Sequence, residues 1–118
     1  MGHNLGLEHS GMGNEEYGDI SGFMGYGNER DDDALDMRCF NGAKNWQLKW
    51  YRDRQLNMDV SNGPKGAQVD LIGLSEYEQA TNDDQMVIVR VADKTSTGPD
   101  LYISYNRASG INSGVVEG

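Results

Sequence analysis

Apolar residues fall into two different rhythms along this chain. Between residues 36 and 51 they recur at helical spacing. Phe40, Ala43, Trp46 and Trp50 form one apolar stripe, which predicts an amphipathic helix over roughly that span. Further on the period shortens to two. Residues 86 to 91 set Val87, Val89 and Val91 on one face and Met86, Ile88 and Arg90 on the other, the alternation of a half-buried strand. Residues 101 to 105 predict its antiparallel hairpin partner, joined through 94 to 100 with Gly98-Pro99 in the turn, and 69 to 74 predict another strand. Residues 57 to 68, with Asn62-Gly63-Pro64-Lys65-Gly66, read as a turn-rich connector, and the polar stretch 75 to 84 as a loop. Ahead of the helix, residues 1 to 6 predict a helix stub and 7 to 30 a Gly-rich irregular loop. The expected class is α+β, with a helix stub, a long loop and one helix followed by antiparallel strands. No internal repeat is present.

Composition sharpens this picture. The chain has 118 residues, enough for one domain with a modest core. Hydrophobic residues are 36% and mean hydropathy is −0.70, so the core is thin. Glycine occurs 16 times, about twice its roughly 7% average share, which favours turns over a helical bundle. The net charge of −9 and a pI near 4.4 argue against nucleic acid or an anionic membrane as partner. The longest apolar run, Met86-Val87-Ile88-Val89, is far short of the ~20 residues of a membrane span. Cys39 is the one cysteine, so it is either a buried thiol or the partner of a cysteine outside this chain. The Asp31-Asp32-Asp33 run with Asp36 complements a helix dipole; its spacing is not that of an EF-hand calcium loop.

The candidate chemistry lies at the start, in His3-Asn4-Leu5-Gly6-Leu7-Glu8-His9. Two histidines six positions apart sit some ~240° apart around a continuous helix and cannot share a face. The chain must leave the helix between them. Gly6 is the residue that can do so, reaching positive φ at little cost and ending the helix as a C′ glycine. After that bend His9 can swing back to meet a metal held by His3.

Written out, this stretch resembles the second half of the metzincin zinc-peptidase signature H-E-x-x-H-x-x-G-x-x-H. Three further blocks, in order, resemble gametolysin-type members of that group. Tyr17-Gly18-Asp19-Ile20-Ser21-Gly22-Phe23-Met24-Gly25-Tyr26 looks like a Met-turn. Cys39-Phe40-Asn41-Gly42-Ala43-Lys44-Asn45-Trp46-Gln47-Leu48-Lys49-Trp50-Tyr51 resembles the C-F-N-x-A-K-x-W-Q-L-x-W-Y block, and Leu101-Tyr102-Ile103-Ser104-Tyr105-Asn106-Arg107 with Gly110-Ile111-Asn112 resembles the tail.

The resemblance implies a secreted zinc endopeptidase of extracellular matrix or cell-wall glycoproteins. His3 and His9 would be Zn²⁺ ligands, Met24 the apolar floor below the metal, and Gly6 the bend between ligands. Tyr26, two residues after Met24, would be a fifth ligand or steady the oxyanion; it reads equally well as an ordinary loop aromatic. The apolar stripe of the helix would bury against the Met-turn side. Residues 1–56 would be the C-terminal part of the catalytic domain and 57–118 a β-rich region packed on it. The first histidine and the catalytic glutamate of the signature would fall immediately before Met1, together with an upstream subdomain forming the upper cleft wall. Glu8 follows the bend and is no substitute base. The expectation is therefore a fragment inactive alone. The alternative is a non-catalytic remnant serving as an extracellular β-rich binding module.

Overall fold

The computed structural model describes residues 2–19, 22–25, 39–63 and 66–113. Tyr26, the Asp31–Asp33 run with Asp36, and the first residues of the expected helix lie outside the described residues. The α+β class expected from the sequence holds. A helix α1 (Gly42–Gln47) precedes strands β1 (Gln55–Asp59), β2 (Asp70–Leu71), β3 (Gln85–Met86), β4 (Ile88–Ala92) and β5 (Leu101–Ser104). Short 3-10 turns lie at Gly2–Leu5, Arg52–Arg54, Leu74–Gln79 and Gly110–Asn112. Among the described residues no helix is long and apolar enough to cross a membrane.

β4 is the central strand of a three-stranded sheet ordered β1-β4-β5. The hairpin partnership with β5 is antiparallel as expected, from Ile88 opposite Ser104 to Val91 opposite Leu101. The expectation that all the strands are antiparallel is corrected. β1 pairs with β4 in parallel, Gln55 opposite Ile88 through Asp59 opposite Ala92, and β2 pairs with β3 in parallel. Parallel neighbours need a long crossover, and the chain between β1 and β4 supplies it. β1 escaped the sequence pattern because Gln55, Asn57 and Asp59 are polar, so part of the strand read as connector. Its far end is held by a small polar knot. Asp59 accepts from the Ser61 amide at 3.0 Å and pairs with Lys94 at 3.0 Å, while the Lys94 amide donates to the Ser61 hydroxyl at 2.8 Å.

The simple alternation read along β4 also gives way. Val87, Ile88 and Val89 are 0%, 0% and 4% exposed, so both faces are covered at its start. Gly42 at the start of α1 lies so close that a Cβ there would meet Ser104 Oγ at 2.7 Å and Ile88 Cγ2 at 3.8 Å. Leu74, from the 3-10 turn, joins Val87 and Ile88 in one buried cluster, with Cys39, Trp46, Tyr51, Ile72, Tyr77 and Tyr102 packed around it. Burial of each of these aliphatic side chains contributes about 1.5–3 kcal/mol. Cys39 is a half-buried free thiol, and desolvation pushes its pKa up.

α1 is much shorter than the helix expected over 36 to 51, and both of its limits have a visible cause. At its start the Asn41 side chain accepts from the Lys44 amide at 2.9 Å, an N-cap that holds Asn41 itself extended. The residues before it spend their backbone groups elsewhere: the Cys39 amide donates to Asn112 Oδ1 at 2.8 Å, and the Cys39 carbonyl accepts from the Phe23 amide at 3.0 Å. At the other end Lys49 takes φ 60°. Its amide donates to Trp46 and the Trp50 amide to Asn45, both at 3.0 Å. That is a Schellman stop built without glycine.

The apolar stripe is consequently divided rather than buried on one side. Trp46 turns to the sheet, 6.0 Å from the Tyr102 ring and beneath the Arg90 guanidinium at 5.6 Å. Phe40 meets Phe23 edge-on at 5.8 Å, next to Met24, and Trp50 remains 46% exposed.

Two outcomes follow from this architecture. A lysine in the left-handed region costs roughly 1–2 kcal/mol, partly offset by the extra unfolded-state freedom of glycine, so Lys49→Gly is expected to raise stability by about 0.5–1 kcal/mol in urea denaturation. Asp59 is held far below the ordinary carboxylate range, first by the Ser61 hydroxyl, then by the Ser61 amide and Lys94. A depressed carboxyl contributes stability above its unfolded pKa of about 3.9, lost as pH falls through the folded value. Thermal melts of Asp59→Asn should therefore lose less stability than the parent between pH 5 and pH 2, to within about a unit of those bounds.

Candidate metal centre

The 3-10 turn Gly2–Leu5 carries His3 and stops at Gly6. Gly6 has φ 74°; its amide donates to the His3 carbonyl at 3.0 Å, and the Leu7 amide to Gly2 at 3.2 Å. This is again a Schellman stop, here with glycine at the left-handed position as the spacing predicts. Nothing lies within 4 Å of where a Gly6 Cβ would sit, so the demand for glycine is conformational and not steric. Beyond the bend Leu7 dives into the interior, 3% exposed, and returns the chain so that His9 faces His3.

The two imidazoles meet nitrogen to nitrogen. His3 Nε2 and His9 Nε2 are 3.0 Å apart, with ring centroids at 4.7 Å and an interplanar angle of 71°. The opposite edge of each ring is occupied. His3 Nδ1 is 2.9 Å from the Leu7 carbonyl oxygen and His9 Nδ1 is 2.6 Å from Glu16 Oε1. Both partners are acceptors, so each Nδ1 donates, which leaves each Nε2 lone pair pointing into the shared space. Two imidazole nitrogens about 2.05 Å from one tetrahedral ion stand about 3.3 Å apart, so the observed separation suits a common divalent ion after a shift of a few tenths of an ångström. A carboxylate or carbonyl behind each ligating histidine is also the usual way such rings are oriented.

Backbone hydrogen bonds hold this arrangement. The Ser10 amide donates to the Met24 carbonyl at 2.8 Å, and the Asp19 amide to the Ser10 carbonyl at 3.1 Å. A tight turn, with Met12 and Glu15 exchanging amide bonds at 3.0 and 3.2 Å, folds residues 16 and 17 back over His9. Met24 is 7% exposed and its thioether fills the space beside Gly2; a Cβ on Gly2 would lie 2.1 Å from the Met24 sulfur. Asn41, the cap of α1, also donates to Asp19 Oδ2 at 2.6 Å and to Ser10 Oγ at 3.3 Å, which ties the loop to the helix.

His3, His9, Gly6 and Met24 are thus brought together. Tyr26 lies outside the described residues, and Glu8 is exposed. Two residues to which the sequence reading gave no part in the site belong to the same cluster: Glu16, bonded to His9, and Tyr17, whose hydroxyl lies 3.1 Å from His9 Nε2. The sequence signal for them was the turn-forming Gly11-Met12-Gly13-Asn14, one residue beyond His9, which reverses the chain over that histidine. An open cavity of about 280 Å³ lies beside His9, lined by Glu8, Glu15 and Glu16. Among the described residues no group of three or more His, Cys, Asp or Glu side chains could hold a metal ion, and a catalytic zinc takes three ligands from protein.

The family model described as Gametolysin peptidase M11 matches residues 1–113. No curated protein and no solved structure matches the chain.

The Glu16 carboxylate is the group behind the His9 ring, and loss of such a partner commonly costs about 10–100-fold in metal affinity. Glu16→Gln is expected to weaken Zn²⁺ binding within that range in a competition titration against a chromophoric chelator, with the melting temperature of the metal-free protein nearly unchanged.

Proposed function

The chain belongs to the gametolysin peptidase family, and on that premise we propose that it is part of a secreted zinc endopeptidase acting on matrix or cell-wall glycoproteins. Membership supports a peptidase, a bound metal and a protein substrate in general terms. The observation that carries the finer reading is the convergence of His3 and His9 through their Nε2 atoms, each ring fixed from behind. In this reading His3 and His9 hold Zn²⁺, and Met24 closes the apolar floor below it. When bound, such an ion polarises a peptide carbonyl and acidifies a water molecule.

The residues of this chain have defined parts in that scheme. Gly6 sets the angle between the ligands. Leu7 and Glu16 hold the ring orientations, and the closed loop from Ser10 to Met24 keeps the two histidines in register with the floor. In the signature that His3-Asn4-Leu5-Gly6-Leu7-Glu8-His9 resembles, the third protein ligand and the general base stand on the N-terminal side of the position that His3 takes. Residues 1–56 belong to the catalytic domain and residues 57–118 form its β-rich C-terminal region.

A second reading, a non-catalytic extracellular binding module, is favoured by one observation: Leu101 and Ile103 of β5, with Tyr105 just beyond its end, expose an apolar row at 64%, 46% and 38%. The two readings part on activity. The enzyme in its longest natural form should cleave denatured glycoprotein, lose this on chelation and regain it with Zn²⁺. His9→Ala should lower kcat/KM by at least about 10³-fold, on the scale of losing a principal catalytic group. Full activity with His9→Ala would refute His9 as a ligand, and absence of any metal-dependent cleavage by the natural form would favour the binding module.

A further inference from the structure

Three polar groups, not two, meet where His9 Nε2 faces His3 Nε2. Tyr17 Oη lies 3.1 Å from His9 Nε2, the same atom that faces His3 Nε2 at 3.0 Å. Because Glu16 takes the Nδ1 hydrogen of His9, the phenol is the donor to Nε2. The Tyr17 ring lies over the His9 ring at 4.1 Å with a tilt of 33°, so the hydroxyl is held over that nitrogen by stacking as well as by the hydrogen bond. The backbone leaves it little alternative. Gly18 donates to the Glu15 carbonyl at 3.1 Å, and a Cβ on Gly18 would meet Met12 at 2.9 Å, so the chain on either side of Tyr17 is pinned to the turn.

We propose that Tyr17 is a further metal-directed residue of this centre, its phenol oxygen serving as the oxygen donor beside the His3 and His9 nitrogens. The inference rests on the reading of those histidines as ligands. Once a metal takes the His9 Nε2 lone pair, the phenol loses its acceptor there. Its oxygen is already about one ligand-to-ligand distance from that nitrogen, and a metal–oxygen bond replaces the lost hydrogen bond, the phenol proton leaving to solvent. In that scheme the phenol oxygen is an oxygen donor additional to the third protein ligand of the signature, approaching from the loop that closes over His9. Tyr17 is 44% exposed, so substituting phenylalanine removes the oxygen without opening the core.

Copper(II) is the probe, because phenolate bound to it gives a charge-transfer absorption in the visible that imidazole alone does not. The Cu²⁺-loaded protein in its longest natural form is expected to show this band, Tyr17→Phe to lose it while electron paramagnetic resonance still reports nitrogen ligands, and Tyr26→Phe to keep it. Zn²⁺ affinity of Tyr17→Phe should fall roughly tenfold, the scale of losing one supporting group at a metal site, with circular dichroism unchanged. A band retained in Tyr17→Phe and lost in Tyr26→Phe would overturn the proposal, as would copper bound through nitrogen with no such band in the parent protein; either leaves the histidine site standing. Failure of the parent to bind copper or zinc through nitrogen at all would overturn the histidine site, and this proposal with it.

Discussion

The centre depends on a single backbone conformation, the positive φ of Gly6. With it, a single turn ends in two hydrogen bonds, Leu7 enters the interior, and two histidines that would point apart on a helix face each other at 3.0 Å. A residue with a Cβ at this position pays roughly 1–2 kcal/mol in the left-handed region, although no neighbour would collide with it. The contrast with Lys49 is instructive. The same Schellman geometry ends α1 with a lysine at the left-handed position, where the stop serves only to turn the chain toward β1. Glycine stands where the facing of the two histidines hangs on the bend, and the other bend carries its strain.

Around His9 the fold concentrates its polar support. One edge of the ring meets a carboxylate, the other meets an imidazole nitrogen and a phenol, and the face is covered by the Tyr17 ring. His3 has the Leu7 carbonyl behind it, four residues away in the same turn. His3 is therefore set by local chain geometry, whereas His9 is set by a loop that must close first. Closure comes from Ser10, whose amide bonds Met24 and whose carbonyl accepts from Asp19. One residue thus ties the second histidine to both the returning loop and the methionine.

Three asparagines satisfy the irregular backbone around the start of α1, and one of them, Asn41, joins it to this loop. Asn41 caps α1 and reaches Asp19 and Ser10. Asn45, 1% exposed, donates to the Phe40 and Asn41 carbonyls. Asn112, equally buried, accepts from the Cys39 amide and donates to the Arg107 carbonyl. Each satisfies backbone groups that an irregular segment cannot pair with a strand or helix, and an unpaired buried group costs about 1–3 kcal/mol. In a chain with so little apolar residue content, such amide clips do much of the work of joining segments far apart in sequence.

What the sequence determined by itself was whatever local chemistry decides. The spacing of His3 and His9 around Gly6 required a bend, the alternation around β4 marked a strand, and the Gly98-Pro99 region joined it to an antiparallel partner, because each follows from backbone preferences of neighbouring residues. Ordered short blocks also carried the family. The tertiary structure decided the rest. α1 shrank to six residues because Asn41 and the buried Asn112 claim the preceding backbone. β1 entered the sheet in parallel although three of its five residues are polar, since a strand paired along a central neighbour needs a satisfied backbone more than an apolar face. Glu16 and Tyr17 joined the centre through closure of a loop, a relation between residues that only a folded chain can state.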